Sequence, residues 1–203
     1  ALLTVLSLAP GIAIMLTCFP FMVTVLSILR QAIGVQQAPP NMMIVSLALF
    51  LTWFVMAPVF DVAWTNGIAP LIAGEIDAEA GFAQTMAPFR SFMEGRADPG
   101  TMEVLREAAP GGGSMAGGPD GGPPLSLLVP SFMLTEIKHG FEVGFLIFLP
   151  FLIIDLVVAS VLMSMGMMMV PPAIVSLPFK LAFFVLADGW TLLAGALVRG
   201  YGA

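Results

Sequence analysis

The chain holds one cysteine, one histidine and seven basic residues in 203, and each scarcity removes a class of function. Cys18, alone inside an apolar run, has no partner for an intrachain disulfide or for a Cys-x-x-Cys metal or redox pair. His139, also alone, leaves few catalytic constellations, and there is no phosphate loop, Ser-His-Asp set or zinc signature. Seven Lys and Arg against thirteen Asp and Glu give a net charge of −6. Nucleic-acid binding needs a basic surface, so no such partner is expected.

Charge of either sign is scarce too, at 10% of the residues, where soluble domains carry roughly 25%. Hydrophobic residues make up 59%, and the mean hydropathy is +1.00. These values describe a membrane protein and exclude a cytosolic enzyme. The sequence starts at Ala1, already inside an apolar stretch, which reads as a mature or trimmed N-terminus with any signal peptide gone.

The positions of the few charges divide the chain. Residues 1–29 carry none, Arg30 follows, and 31–60 are again uncharged. A spanning helix needs about 20 apolar residues for a hydrocarbon core of roughly 30 Å, and Leu2–Leu29 and Met42–Phe60 each supply them. Pro10 and Pro20 predict a bent or broken first helix, because proline removes a helical hydrogen bond. A polar turn with a Pro39-Pro40 exit occupies 30–41. Residues 61–120 then hold nine acids against three arginines, which is the whole net charge of the protein. Helical patterns run through Asp77–Met93 and Thr101–Ala108, and 110–124 is almost entirely Gly and Pro, the composition of a flexible tether. Apolar character returns in Leu125–Met133, in Val143–Met169 broken by Asp155, and in Leu181–Val198 broken by Asp188.

The expected domains are therefore a hydrophobic helical hairpin over 1–60 with its turn at 30–41, an acidic helical insert over 61–109, a tether over 110–124, and a second hydrophobic hairpin over 125–203. Arg30 and Lys180 lie at the hairpin turns, so the positive-inside rule sets the turns in the cytoplasm and the insert outside.

Four groups of residues could carry function. Asp155 is the most expensive, because an acid in mid-span costs roughly 2.5–3.5 kcal/mol on insertion scales and demands a partner. An assembly contact across a helix interface meets that demand; a proton relay would need a chain of ionisable groups. Glu136, Lys138, His139 and Glu142 crowd one stretch. Glu136 and His139 have the Glu-x-x-His spacing of a di-metal carboxylate site, but the second motif is missing, and ion pairing between subunits is the expected use, with Arg90 or Lys180 as partner to Glu136. Met163, Met165, Met167, Met168 and Met169 put five thioethers in seven residues around Gly166. Such a run is either apolar filler or a pliable seal, since thioethers adapt their shape without hydrogen bonds, and Gly166 would let the chain leave helical geometry. Gly140 and Gly144, four apart, permit close helix approach.

Several stretches resemble one family closely. They are RQAIGVQQAPPN at 30–41, LALFLT at 47–52, the run from Phe145 through Asp155 to Pro172, and SLPFKL at 176–181. All are similar to FliP, the flagellar type III export-gate family, and within the insert Pro88–Met93 looks like the family's Pro-Leu-Arg-Glu-Phe-Met. Thr135-Glu-Ile-Lys138 and Asp188-Gly-Trp190 resemble the flagellar branch more than the related virulence-secretion subunit. Departures are Cys18-Phe-Pro-Phe21 where the family commonly has Ser-Phe-Thr-Arg, Glu142 in place of Gln, and the long tether.

The resemblance implies an all-α membrane protein whose two bent hairpins flank an acidic extracytoplasmic insert and assemble, five copies together with FliQ and FliR and next to FlhB, into a helical pore for unfolded flagellar subunits in the bacterial inner membrane. It implies that the Met163–Met169 loop is the constriction, and that Arg90, Glu136, Lys138, Asp155 and Lys180 serve subunit contacts. No enzyme activity, cofactor or metal is implied. The alternatives are a virulence-secretion homologue and a small ion or proton transporter using Asp155 and Lys180.

Overall fold

The computed structural model describes Gly11 and residues 14–35, 39–109 and 122–201. All regular structure among them is helical. Helix α1 is Phe19–Ile33 and α2 is Asn41–Ala63; a π-helical turn, Trp64–Ile68, leads into α3, Ala69–Ala73. The insert supplies α4, Ala78–Glu94, and α5, Pro99–Ala108. After the tether come α6, Leu125–Ser164, α7, Pro172–Leu186, and α8, Gly189–Arg199.

The break expected at Pro20 is present. The chain turns at Leu16–Cys18, where the Thr17 hydroxyl donates to the Ile14 carbonyl and accepts from the Phe19 amide, and α1 starts with Pro20 in its first turn, where a missing N–H costs nothing. Pro10 and residues 110–121 of the tether lie outside the described residues. Helix α2 does not stop at Phe60 as the charge at Asp61 predicted. Asp61 sits exposed on a helical stretch that runs 33 residues, Asn41–Ala73, and Phe60 is held there by stacking on Trp53 and by an edge contact with Phe89.

Helix α6 joins what the sequence divides. Its 40 residues make a rod of about 60 Å, twice the thickness of a hydrocarbon core. The polar patch 135–142 leaves it unbroken, since polar side chains end an apolar run without ending a helix; Thr135, like Ser131 before it, turns its hydroxyl onto a carbonyl one turn earlier. Leu181–Val198, expected as one span, is two helices bent by 61° around Asp188, whose φ of 48° is left-handed and whose carboxylate accepts from the Thr191 hydroxyl. Among the described residues two helices can cross a membrane by length and composition, or three if the bent pair counts as one span.

The chain divides into two compact units. The first comprises Ala1–Pro20 and Thr52–His139. Its core is Leu16, Met93, Ala97, Leu128 and Phe132, ringed by Met86, Phe89, Phe92 and Met102. Both helices of the insert are capped by acids: Asp77 accepts from the Ala80 amide at 2.8 Å and Asp98 from the Thr101 amide at 3.1 Å. Gly67, in the π-helical turn, lies so close to α4 that a β-carbon would stand 2.2 Å from the Thr85 hydroxyl.

The second unit comprises Phe21–Leu51 and Gly140–Ala203. Here α1 packs on α6 through the small-residue pair: a β-carbon on Gly140 would meet Thr24 at 3.0 Å, and one on Gly144 would meet Ile28 at 2.4 Å. Much of the rest of its apolar surface is open, including Phe145, Ile153, Leu156 and Val161 on α6 and Ile174, Val185 and Leu186 on α7.

Candidate functional site

The second unit brings the methionine run and Asp155 onto one hairpin. Helix α6 ends at Ser164 with a glycine C-cap: Gly166 adopts φ 77°, its amide bonds the Met163 carbonyl and the Met167 amide bonds the Leu162 carbonyl, each at 3.0 Å. This left-handed turn needs glycine, which explains Gly166 among the methionines. The chain then travels through Met167–Val170 to Pro171 and Pro172, where proline at the first helical position starts α7. Every methionine of the loop is exposed, Met168 at 85% and Met169 at 98%.

Below the loop the hairpin is clamped by charge. The Lys180 ammonium lies 2.6 Å from Asp155 Oδ2, and the Ser176 hydroxyl donates to Asp155 Oδ1. Ser176 and Lys180 are one turn apart on α7, so one face of that helix grips both carboxylate oxygens. Lys180 also donates to the Ala32 carbonyl at 3.1 Å. That carbonyl belongs to the last turn of α1, where unsatisfied carbonyls collect the negative end of the helix dipole. A buried ammonium therefore neutralises a carboxylate and caps a helix at once, and three helices meet on it. At the start of the 30–41 turn, Arg30 in the last turn of α1 donates to the Asn41 side chain.

The first unit has its own buried acid. Glu136, fully buried on α6, pairs within the chain with Arg96 at 2.9 Å. Beside it the Asp98 amide donates to the Thr135 hydroxyl at 3.0 Å, so the α4–α5 corner docks on α6 by two polar contacts. Arg90 instead bonds Glu94 at 2.9 Å, one turn away on α4, and the Pro123 carbonyl at 2.6 Å, tying the end of the tether to the insert. The reason is reach: Arg96 leads out of α4 at the corner that meets α6, while Arg90 lies further back on the helix. Lys138 is exposed. No cluster of metal-ligating side chains occurs among the described residues, and Glu136 of the Glu-x-x-His spacing is engaged by Arg96.

Sequence reasoning missed Arg96, Ser176 and the Ala32 carbonyl. Ser176 had a signal, since it precedes Lys180 by one helical turn. Arg96 had none that set it apart from Arg90 and Arg106, and a backbone carbonyl carries no sequence signature.

The family model for FliP matches residues 2–197, nearly the whole chain. The chain belongs to the FliP family. Among FliP relatives it is 49% identical over 200 residues to the flagellar biosynthetic protein FliP of Agrobacterium fabrum, covering 98% of this chain and 81% of that one. The corresponding protein of Rhizobium meliloti is 50% identical with the same coverage, and that of Bacillus subtilis is 43% identical over 202 residues, covering 98% and 89%. The chain is thus a flagellar biosynthesis protein with membrane-length helices, part of the export apparatus, and the resemblance seen in its motifs extends over both hairpins and the insert.

Proposed function

We propose that this FliP-family chain is the core pore subunit of the flagellar protein export gate, a non-enzymatic ring member through which unfolded flagellar subunits cross the inner membrane. The observation that carries it is the hairpin just described: an exposed methionine loop, barest at Met168 and Met169, at the tip of two apolar helices that Asp155, Ser176 and Lys180 lock together. Methionines left bare in one copy close a pore when several copies bring their loops to one axis, and a thioether ring yields to a passing chain of any sequence. The open apolar faces of α6 and α7 supply the surface for neighbouring copies, FliQ, FliR and lipid, with FlhB alongside. Five copies is the number that family membership supports, with the acidic insert on the periplasmic side. In that ring Arg90, Glu136, Lys138, Asp155 and Lys180 stand near subunit contacts, the paired ones fixing the shape that each copy offers its neighbour. The energy source that family membership implies is an ATPase and the proton-motive force acting on partner subunits.

Native mass spectrometry of detergent-extracted protein, alone and coexpressed with FliQ and FliR, tests the reading. A defined homo-oligomer that takes up both partners is expected; a monomer or dimer that ignores them would sink it. Replacing Met167–Met169 by alanine is expected to raise ion leakage through the assembled complex. Asp155→Asn separates the gate from a transporter: the gate loses assembly, whereas a transporter keeps its oligomer and loses only transport.

A further inference from the structure

Methionine sulfur is a group whose polarity a small water-borne reagent can change without any enzyme, and its exposure in this chain is sharply graded. Met22, Met56 and Met93 are fully buried, while Met168 and Met169 are the barest methionines in the second hairpin and Met163 and Met165 stand at 62% and 66%. We propose that Met168 and Met169 are a redox modification site: peroxide converts them to methionine sulfoxide and the loop loses its seal. The proposal rests on the gasket reading.

In the reaction a sulfur lone pair attacks one peroxide oxygen, the S–O bond forms and the O–O bond breaks. The hydroxide that leaves takes the remaining proton from the new sulfoxide oxygen and departs as water. Sulfur is oxidised by two electrons and the peroxide is reduced by two. Within one copy little covers the side chains of Met168 and Met169. Beyond the left-handed turn at Gly166, Met168 and Met169 are almost bare, so their side chains contribute little to the packing of the hairpin and oxidation does not have to unfold it.

The consequence follows from hydrogen bonding. A thioether ring is dry because it offers water almost nothing, whereas a sulfoxide oxygen is a strong acceptor that is costly to leave unpaired. The hydroxyls near the end of α6, those of Ser160 and Ser164, already donate to the Leu156 and Ser160 carbonyls. Each sulfoxide oxygen therefore recruits water into the constriction, and several copies in a ring multiply the effect.

The test uses the assembled complex in native membranes, treated with hydrogen peroxide, with sulfoxide occupancy read per methionine by peptide mass spectrometry and ion leakage read in the same sample. The expected result is occupancy at Met168 and Met169 several-fold above Met22, Met56 and Met93, a rise in leakage that tracks it, and reversal of both by methionine sulfoxide reductases. A variant with Met167, Met168 and Met169 all changed to leucine, compared with itself before peroxide, is expected to show no rise. If Met168 and Met169 stay unmodified while Met42 and Met43, exposed on α2, are oxidised, peroxide does not reach the loop and the proposal fails. If they are oxidised without leakage, it also fails, and the alanine variant then decides the parent reading: leakage there keeps the gasket, and its absence removes both.

Discussion

Phe132 and Phe145 lie on the same helix, yet the first is fully buried in the core of one unit and the second is 61% exposed in the other. The same contrast holds for charge. Glu136 is sealed away with Arg96 at a corner built by the insert, while Asp155 keeps about a third of its side chain open beside Lys180. The first unit has a core of its own, with capped short helices and a ring of Met and Phe around Met93, and it too leaves Trp53, Phe54, Ile72 and Phe82 open on its surface. The second turns its apolar residues outward and buries an ammonium. Its stability must come from what surrounds it, whether lipid or neighbouring chains.

That contrast can be broken first at the aromatic pair. Phe132→Ala is expected to lower stability by about 3–5 kcal/mol, the cost of a core cavity, while Phe145→Ala in the same detergent changes it by less than about 0.5 kcal/mol. Unfolding curves of the two variants, compared with the parent, check this. Removing one member of each ion pair sharpens it. Arg96→Ala leaves Glu136 buried without its guanidinium and is expected to cost about 3 kcal/mol, whereas Lys180→Ala leaves Asp155 with Ser176 and partial solvent and costs about 1–3 kcal/mol. The same unfolding assay ranks them, and native mass spectrometry is expected to show the larger assembly defect for Lys180→Ala. A third, smaller effect is steric. Gly67→Ala forces a methyl against the Thr85 backbone and is expected to cost about 1–3 kcal/mol without touching the second unit.

The smallest effect is a pH dependence confined to the insert. The Thr101 hydroxyl and amide beside Asp98 hold its carboxyl below the ordinary value of 3.8. A carboxylate so depressed stabilises the folded state above the ordinary value, and that contribution is lost as pH falls through the lower, folded one. Helix α5 is therefore expected to keep its circular dichroism signal down to pH 4 and to lose some of it below, and Asp98→Ala is expected to abolish that dependence.

Much of this was legible from composition. Runs without charge located the apolar segments, Asp77 announced the start of α4, and Pro20 marked a real break, because chain-level physics dictates each of these locally. The Met163–Met169 loop was legible too, down to the need for glycine in its turn. What escaped was tertiary. The continuity of α6 through a polar patch escaped because charged residues interrupt an apolar run without interrupting a helix. The bend at Asp188 needs a left-handed residue that sequence patterning reads as one more charge in a span. The choice of Arg96 over Arg90 is decided by where α4 ends, and the role of the Ala32 carbonyl by where Lys180 arrives.

Lys180 reaches Ala32 across 148 positions of sequence. A ribosome working at about 5–20 residues per second makes α1 roughly 7–30 s before it makes the ammonium that caps it, and makes Asp155 about 1–5 s before its counter-ion. The nascent chain thus enters the membrane with an open helix end and a solitary acid, and the residue that reconciles both comes late in the sequence. A translational pause or truncation between Asp155 and Lys180 would leave a chain that has every apolar segment up to the methionine loop and no way to lock the hairpin, a product for quality control to recognise by its unpaired charge.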